Sequence, residues 1–242
     1  MANPVNQTGA HGVDGRAWRF PDRLLACRCL VCGERGSNGR DLCVFCSESL
    51  PWVAAACGRC ALPLGIDAEL CGECLRRPPP QAATRAAFIY RAPLDRLLPR
   101  AKFHGDLASL RLLSQLMAGR VADADRPCAL VPIPLHRDRL RRRGYDQALE
   151  LARPLSRRLD VPLRDDLLRR VRATSAQSRL DAGARRRNLR GAFEVRAGPE
   201  LPAHVALVDD VMTTGATARS AAMALLRAGV RRVDVWVCAR VP

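Results

Sequence analysis

The sequence predicts an α/β protein in which a small metal-bound module precedes a parallel sheet flanked by helices. Val205–Val208 and Ala129–Val131 are short apolar runs of the kind that form buried strands in parallel sheets. Apolar residues at helical spacing follow the first of these runs and predict a helix from near Ala216 to just before Gly229. Upstream of both runs, eight cysteines fall into two regularly spaced quartets, which indicates a metal-bound module.

The quartet cysteines have the spacing of two zinc sites. Each quartet follows the pattern Cys-x2-Cys-x10-Cys-x2-Cys, and the second repeats the first 28 residues later at every cysteine. Two Cys-x2-Cys knuckles supply four thiolates to one tetrahedral Zn²⁺ and leave no open position, so both sites are predicted to be structural. The predicted ligands are Cys29, Cys32, Cys43 and Cys46 in the first quartet and Cys57, Cys60, Cys71 and Cys74 in the second.

The spacing leaves open which cysteines share a zinc ion. Consecutive pairing keeps each quartet on one ion, whereas a cross-braced arrangement would place the first knuckle of each quartet on the same ion. Cys27 stands two residues before Cys29 and competes as a ligand, although it breaks the repeat. Disulfides are disfavoured because we expect the protein to be cytoplasmic, where thiols stay reduced.

The composition predicts three segments. Residues 1–23 form a polar tail, expected to be disordered and without the apolar core of an export signal. Residues 24–80 form a double zinc ribbon, which is too small to bury a core without metal. Residues 84–242 form the sheet domain. No run of about 18 apolar residues occurs, so no membrane span is expected.

An acidic pair and a hydroxyl-rich turn follow the strand at Val205–Val208. A strand, a turn of small residues and a helix N-terminus together bind phosphate, because backbone N–H groups and the helix dipole point towards the anion. Two adjacent carboxylates accept hydrogen bonds from vicinal ribose hydroxyls, and Mg²⁺ can bridge the rest. The stretch therefore predicts a ribose 5-phosphate site. Its predicted binding residues are Val208, Asp209, Asp210, Val211, Met212, Thr213, Thr214, Gly215, Ala216 and Thr217.

Positive charge is concentrated in the middle of the chain. The formal net charge is +16, and nearly all of the positive charge is arginine because Lys102 is the only lysine. His136–Arg190 contains 17 arginines against 7 acidic residues. A basic surface of this kind attracts polyanions, either a pyrophosphate-bearing substrate or nucleic acid. A solvated surface face would have the same composition, so charge alone does not choose between these interpretations.

The basic segment Leu135–Gln147 follows the strand at Ala129–Val131, and we interpret it as a loop. Ligands of open α/β sheets bind outside the carboxyl ends of the strands, so this loop and the Asp209–Thr217 segment are expected to face one crevice. Arginines in the loop would then neutralise a pyrophosphate, and we expect at most two of three to do so. The three candidates are Arg137, Arg139 and Arg143.

The polar stretch between Arg172 and Arg190 has little apolar periodicity. A mobile loop over an active site would have this composition, and so would a plain surface loop.

Taken together, these segments resemble the ComF family, in which a double zinc ribbon precedes a type I phosphoribosyltransferase-like domain. Beside the cysteine quartets, the matching pieces are Ala101-Lys-Phe-His-Gly105, Val131–Leu135, Arg142–Gln147, the spacing from Thr174 to Asn188, and Val208–Thr217. The last is similar to the phosphoribosyl pyrophosphate (PRPP) motif. The resemblance implies that Asp209 and Asp210 contact the ribose hydroxyls as the catalytic pair, while Thr213–Thr217 surround the 5-phosphate. It also implies Mg²⁺ with PRPP and a role in natural competence.

One position departs from the family pattern. The family commonly has Arg-Gly-Phe-Asn-Gln where this chain has Arg143-Gly-Tyr-Asp-Gln147. A carboxylate at Asp146 would bind metal, act as a base or weaken an anion site, and the pattern leaves this choice open.

Two functions from different classes are consistent with the sequence. One is a phosphoribosyltransferase that binds PRPP with Mg²⁺ and transfers the phosphoribosyl group to an acceptor. The other is a catalytically inactive module that senses PRPP or binds single-stranded DNA or a protein of the DNA-uptake machinery. The aromatic content of 4% argues mildly against stacking platforms for single strands.

Overall fold

A computed structural model describes residues 27–65, 69–103, 105–172, 191–196 and 200–242. The predicted disordered tail (residues 1–23) and the Arg-rich stretch from residue 173 to residue 190 lie outside the described residues. In the part of the chain that is described, no helix has the length and apolar character needed to cross a membrane.

The described elements are short ribbon helices followed by alternating helices and strands. The helices are α1 (Val44–Glu48), α2 (Gly72–Arg76), α3 (Leu94–Phe103), α4 (Leu107–Val121), α5 (Arg137–Arg143), α6 (Gln147–Leu159) and α7 (Ala216–Ala228). The strands are β1 (Ala83–Ile89), β2 (Ala129–Pro132), β3 (Leu168–Arg170), β4 (Phe193–Val195), β5 (His204–Met212) and β6 (Arg232–Arg240).

Four of the strands form a parallel sheet in the order β1-β6-β5-β2, while β3 and β4 form a separate antiparallel pair. The central strand β5 is apolar on both faces, which explains why helices cover both faces of the sheet. Ala206 and Val208 belong to one core cluster, and Val205 and Leu207 belong to the other. This alternation follows from the two-residue period of a strand, and both sets are apolar because both faces are buried. The predicted fold class, a parallel sheet flanked by helices behind a double zinc ribbon, is confirmed.

The two faces of the sheet carry different helices. Apolar residues of α3, α4 and α6 pack with Trp236 and Cys238 of β6 on one face. The apolar side of α7, with Ala221 and Leu225, packs with Val235 and Val237 on the other face. The turn at the start of α7 is therefore attached to a helix whose apolar side is fixed by the core.

Short segments cover both outer edges of the sheet. Pro51–Val53, between the two cysteine quartets, pairs antiparallel with β1: the Val53 N–H donates to the Ala87 carbonyl at 3.1 Å, and the Ile89 N–H donates to the Pro51 carbonyl at 2.8 Å. The ring of Trp52 lies 4.6 Å from that of Phe88. On the β2 edge, the Leu130 N–H donates to the Pro162 carbonyl, and the Arg164 N–H donates to the Leu130 carbonyl. Covered edges lack the free N–H and C=O groups that recruit other strands.

Two local expectations were wrong. The basic segment after β2 forms the helix α5 instead of a loop, because His136 accepts a hydrogen bond from the Asp138 N–H as N-cap and Gly144, with φ +84°, ends the helix. The acidic pair lies within β5 instead of after the strand, because β6 extends to Arg240 and continues the ladder alongside Val211 and Met212.

Candidate functional site

Each cysteine quartet brings its four sulfur atoms together. In both quartets the Sγ atoms lie within 4.8 Å of one another, and each group consists of consecutive cysteines, so the pairing is not cross-braced. The Sγ atoms of Cys32 and Cys43 are 3.7 Å apart, as are those of Cys60 and Cys71. A tetrahedral zinc ion with Zn–S bonds of about 2.3 Å requires a sulfur separation of about 3.8 Å. The quartets therefore fit two structural zinc ions, and Cys27 stands outside both groups.

Backbone N–H groups in the knuckles favour thiolates. Burial alone would raise the pKa of the Cys29 thiol, but hydrogen bonds from the backbone of Cys43, Cys32 and Val31 lower this pKa to about 6. A similar set of backbone donors lowers the pKa of Cys57 to about 7 against the effect of burial. Burial and the neighbouring sulfur atoms instead raise the pKa of Cys46 and of Cys74. A cation is therefore required to hold all four groups of a quartet as thiolates.

The consecutive pairing predicts the metal content of cysteine variants. Cys46→Ser removes one ligand of the first site only, so the zinc content should fall from about two ions per chain to about one. Cys27→Ser is the matched control and should retain about two. Elemental mass spectrometry of purified protein measures both. A Cys46→Ser protein that still holds two zinc ions would contradict the ligand assignment.

A cavity of about 170 Å³ lies at the carboxyl ends of β2 and β5. It is the crevice expected for an open parallel sheet, and the segments that follow the two adjacent strands both contribute to its wall. Its lining residues are Lys102, Ile133, Pro134, Leu135, Arg139, Arg143, Asp146, Gln147, Ala148, Arg170, Asp209, Asp210, Val211 and Thr217. The cavity therefore brings together three carboxylates and four basic side chains.

The three carboxylates of the cavity act on one another. Burial raises the pKa of Asp209 well above its ordinary value, and the adjacent Asp210 and the more distant Asp146 raise it further. Burial also raises the pKa of Asp146, with a contribution from Asp210. The ammonium group of Lys102 lies 3.6 Å from Asp210 Oδ2. Burial and the neighbouring carboxylates thus disfavour the ionised form of Asp209, and a bound cation or a set of hydroxyl donors would favour it.

The turn after β5 leads into α7, and Thr213–Ala216 do not themselves line the cavity. Gly215 has φ +71°, a left-handed conformation that favours glycine, and it directly precedes the first turn of α7. Thr213 and Thr214 are exposed, and Thr217 in the first turn of α7 reaches the cavity wall. Among the other predicted binding residues, Val208 and Met212 are buried in the core, and the Met212 side chain lies beside Gly215. The arrangement leaves hydroxyl groups and the N-terminus of α7 accessible to an anion.

The three candidate arginines separate on α5. Arg139 and Arg143 line the cavity, whereas Arg137 is exposed and is not part of the cavity wall. Arg139 and Arg143 are four residues apart and share one face of α5, whereas Arg137 lies on a different face. The sequence analysis did not separate the three because it interpreted the segment as a loop. The guanidinium of Arg143 also lies 5.9 Å from the ring centre of Phe103 and donates to Gln147 Oε1.

Three residues of the cavity were missed by sequence reasoning. Lys102 is the only lysine of the chain and stands in a segment that carried the family resemblance, so a signal was present. Arg170 is a buried residue of β3 whose pKa is lowered by burial and by Arg139, and nothing local separates it from the other arginines. Gln147 is only 3% exposed, and its Nε2 has no hydrogen-bond acceptor within the described residues. A buried amide donor in a cavity wall is suited to a ligand oxygen.

Asp146 has a structural role that the sequence had left open. Its carboxylate caps the N-terminus of α6 by accepting hydrogen bonds from the Ala148 N–H at 3.0 Å and the Leu149 N–H at 3.4 Å. The same carboxylate accepts a hydrogen bond from the Leu135 N–H at 2.7 Å, which ties the segment after β2 to α6. Asp146 therefore fixes the shape of the cavity wall while it adds negative charge to the cavity.

Comparisons with known proteins agree with these features. A family model described as "Double zinc ribbon domain" matches residues 20–75. Competence protein F of Haemophilus influenzae is 37% identical over 225 residues, which cover 88% of this chain and 96% of that protein. The chain belongs to the competence protein F family. DNA utilization protein YhgH of Escherichia coli K12, another member, is 37% identical and aligns with 82% of this chain and 90% of its own length.

More distant similarities extend to other bacteria and to solved structures. Competence protein ComFC of Bacillus subtilis is 26% identical over 222 residues, which cover 83% of this chain and 89% of that protein. Among solved structures, an orotate phosphoribosyltransferase from Aeropyrum pernix is 22% identical and aligns with a TM-score of 0.35, covering 60% of this chain and 63% of that chain. Membership of the competence protein F family thus rests on alignments that cover 82–88% of this chain and 90–96% of the two relatives that are 37% identical.

The raised pKa of Asp209 predicts that this residue destabilises the protein without ligand. A carboxyl group whose pKa is higher in the folded than in the unfolded state lowers stability as the pH rises through the folded-state pKa. Asp209→Asn keeps the Oδ1 that accepts from the Asp210 N–H and removes the charge. It should raise the free energy of unfolding at pH 7 by roughly 1 kcal/mol or more.

Urea unfolding at several pH values measures this effect. The stabilisation by Asp209→Asn should shrink towards the ordinary carboxyl pKa of 3.8, because the unmodified side chain is then protonated too. Asp165→Asn, at an exposed carboxylate outside the cavity, is the control and should leave stability nearly unchanged. A variant at Asp209 that is less stable than the unmodified protein at pH 7 would contradict the prediction.

Proposed function

We propose that the protein binds PRPP together with Mg²⁺ in the cavity between β2 and β5 and transfers the phosphoribosyl group to an acceptor. The observation that carries this proposal is one cavity lined by an acidic pair, by arginines and by Thr217 in the first turn of α7, with the exposed Thr213 and Thr214 in the turn just before that helix. Each part matches one part of PRPP, since ribose offers hydroxyl donors and the phosphates require donors and positive charge. Membership of the competence protein F family connects the same chain with DNA uptake and use.

The donor set of the cavity fits Mg²⁺. Magnesium prefers carboxylate and phosphate oxygens, and it is usually held by one or two carboxylates together with a substrate phosphate. Asp209 and Asp210 would hold it with the pyrophosphate of PRPP. A nearby cation would lower the raised pKa of Asp209 and so stabilise its ionised form. When bound, Mg²⁺ supplies charge neutralisation for the departing pyrophosphate.

The residues of the chain would act on the two ends of PRPP. The hydroxyls of Thr213, Thr214 and Thr217 and the backbone of the turn would bind the 5-phosphate, as uncharged donors at a helix N-terminus do. Arg139 and Arg143 would stabilise the pyrophosphate as the C1–O bond breaks and the bond electrons leave with the pyrophosphate oxygen. The acceptor then donates an electron pair to C1 and forms the new glycosidic bond. The partly buried location of the acidic pair strengthens these charge interactions.

Calorimetric titration with PRPP tests the proposal. PRPP should bind in the presence of Mg²⁺ and bind more weakly in its absence. Combining Asp209→Asn with Asp210→Asn should weaken binding by about tenfold or more, because both ribose acceptors lose their charge. Asp165→Asn should bind as tightly as the unmodified protein. If the unmodified protein shows no binding heat with PRPP and Mg²⁺, the proposal is wrong.

A second candidate function, binding of single-stranded DNA, is supported by the outer face of α5. Five of its seven residues are arginines, none of its residues is buried, and Arg137, Arg141 and Arg142 are exposed. Exposed arginines on one helix would follow a phosphate backbone without reading its sequence. Relatives carry the name DNA utilization protein, which agrees with a DNA-binding role.

The salt dependence of binding to an oligonucleotide tests this second candidate. Replacing Arg137, Arg141 and Arg142 with glutamine should weaken binding and reduce the slope of log affinity against log salt by about 2, because each lost phosphate contact in a single strand contributes about 0.7. The matched control replaces the exposed Arg157, Arg158 and Arg169, which changes the net charge equally. An equal loss in both triple variants would indicate attraction by net charge alone and would rule out α5 as the DNA-binding face.

A further inference from the structure

Arg240 connects the second cysteine quartet to the end of strand β5. Its side chain is 8% exposed, its Nε donates to the Cys60 carbonyl at 3.0 Å, and its Nη1 donates to the Met212 carbonyl at 3.3 Å. The same Nη1 donates to the Val241 carbonyl. Arg240 is the last residue of β6, so its side chain reaches from the sheet to the ribbon with several donors in fixed directions.

Met212 supports the phosphate-binding turn from beneath. It is the last residue of β5, it directly precedes Thr213, and its carbonyl also accepts a hydrogen bond from the Val241 N–H at 3.0 Å. A Cβ atom on Gly215 would lie 3.5 Å from the sulfur of Met212, so the Met212 side chain fills the space below the left-handed turn. The position of Met212 therefore determines where the turn begins and what it rests on.

The second cysteine quartet shares a core with this turn, whereas the first quartet does not. Ala61, which follows the ligand Cys60, is buried in the same apolar cluster as Met212 and the residues of α7. Cys29 and Cys43 of the first quartet belong to the cluster of α3, α4 and α6 on the other face of the sheet. The two zinc sites thus have different connections to the candidate ligand site.

We propose that Arg240 is a positioning residue which links the second zinc site to the phosphate-binding turn, so that ligand affinity depends on metal in the second quartet and much less on metal in the first. Zinc fixes the backbone of Cys60, the Cys60 carbonyl orients the guanidinium, and the guanidinium holds the Met212 carbonyl. The inference rests on the proposed PRPP site for its ligand. The mechanical link itself involves only residues of this chain.

Two readouts test the link. Arg240→Met keeps the apolar length of the side chain and removes its donors. It should weaken PRPP binding in the presence of Mg²⁺ by roughly tenfold, as expected when three hydrogen bonds to backbone carbonyls are lost. Without any ligand, hydrogen exchange of the amides in residues 211–217 should become faster. Zinc content should remain at about two ions per chain. Arg240→Lys keeps a charged donor at the position and should restore part of both properties.

Arg232→Met is the matched control for a general loss of stability. Arg232 lies at the other end of β6 and pairs with Asp125 and Asp234. This variant should be less stable than the unmodified protein, with unchanged exchange in residues 211–217 relative to the rest of the sheet. If Arg240→Met shows the same pattern as Arg232→Met, Arg240 is merely structural and the proposal is overturned.

Single-cysteine variants test the asymmetry between the zinc sites. Cys74→Ser should accelerate exchange in residues 211–217, whereas Cys46→Ser should affect mainly the first ribbon. Equal effects of the two substitutions on the turn would overturn the proposal. Failure of the PRPP proposal has a different signature, because the unmodified protein would then bind no PRPP while the exchange experiment still reports the link. If Arg240→Met does not fold, Arg240→Lys provides both readouts at the same position.

Discussion

Burial of an acidic pair at the end of a central parallel strand is the constraint on which the candidate site depends. Asp209 is held at the carboxyl end of β5 by the ladder to β6, and its charge is opposed by burial and by two further carboxylates. Lys102 and the cavity arginines provide the compensating charge from other elements of the fold. The site is therefore assembled from four parts of the chain around an acidic pair whose ionised form a cationic or hydroxyl-rich ligand would stabilise.

The residues around this cavity have two roles: some are accessible to a ligand, and others hold those residues in place. Exposed hydroxyls and the start of α7 are available to an anion, whereas the residues beneath them are fixed by the core. Asp146 has both roles. It lines the cavity, and three backbone N–H groups hold its carboxylate between the segment after β2 and the helix α6. Such fixed surroundings keep charged groups in place without reorganisation when a ligand arrives.

Local sequence patterns predicted those parts of the molecule that depend on local chemistry. The spacing of the cysteines gave both quartets, and the apolar runs gave β2 and the core of β5. The sequence pattern did not predict features that depend on partners far away in the chain. The strand β5 extends through its acidic pair because β6 continues beside it, and Arg170 becomes a cavity residue because β3 pairs with β4. The helix α5 was missed although its cap residues are local, because a run of arginines without apolar periodicity does not indicate a helix.

The order of strands has a consequence for how the protein is made. β6 follows the other described strands in sequence, yet it lies inside the sheet between β1 and β5. During synthesis, β1 leaves the ribosome well before β6, and until β6 appears its one strand-like partner among the described residues is the short Pro51–Val53 segment. Contacts between such distant parts form slowly and leave apolar surface open to other molecules in the meantime. The nascent chain is therefore most vulnerable to aggregation in the interval before β6 has been synthesised.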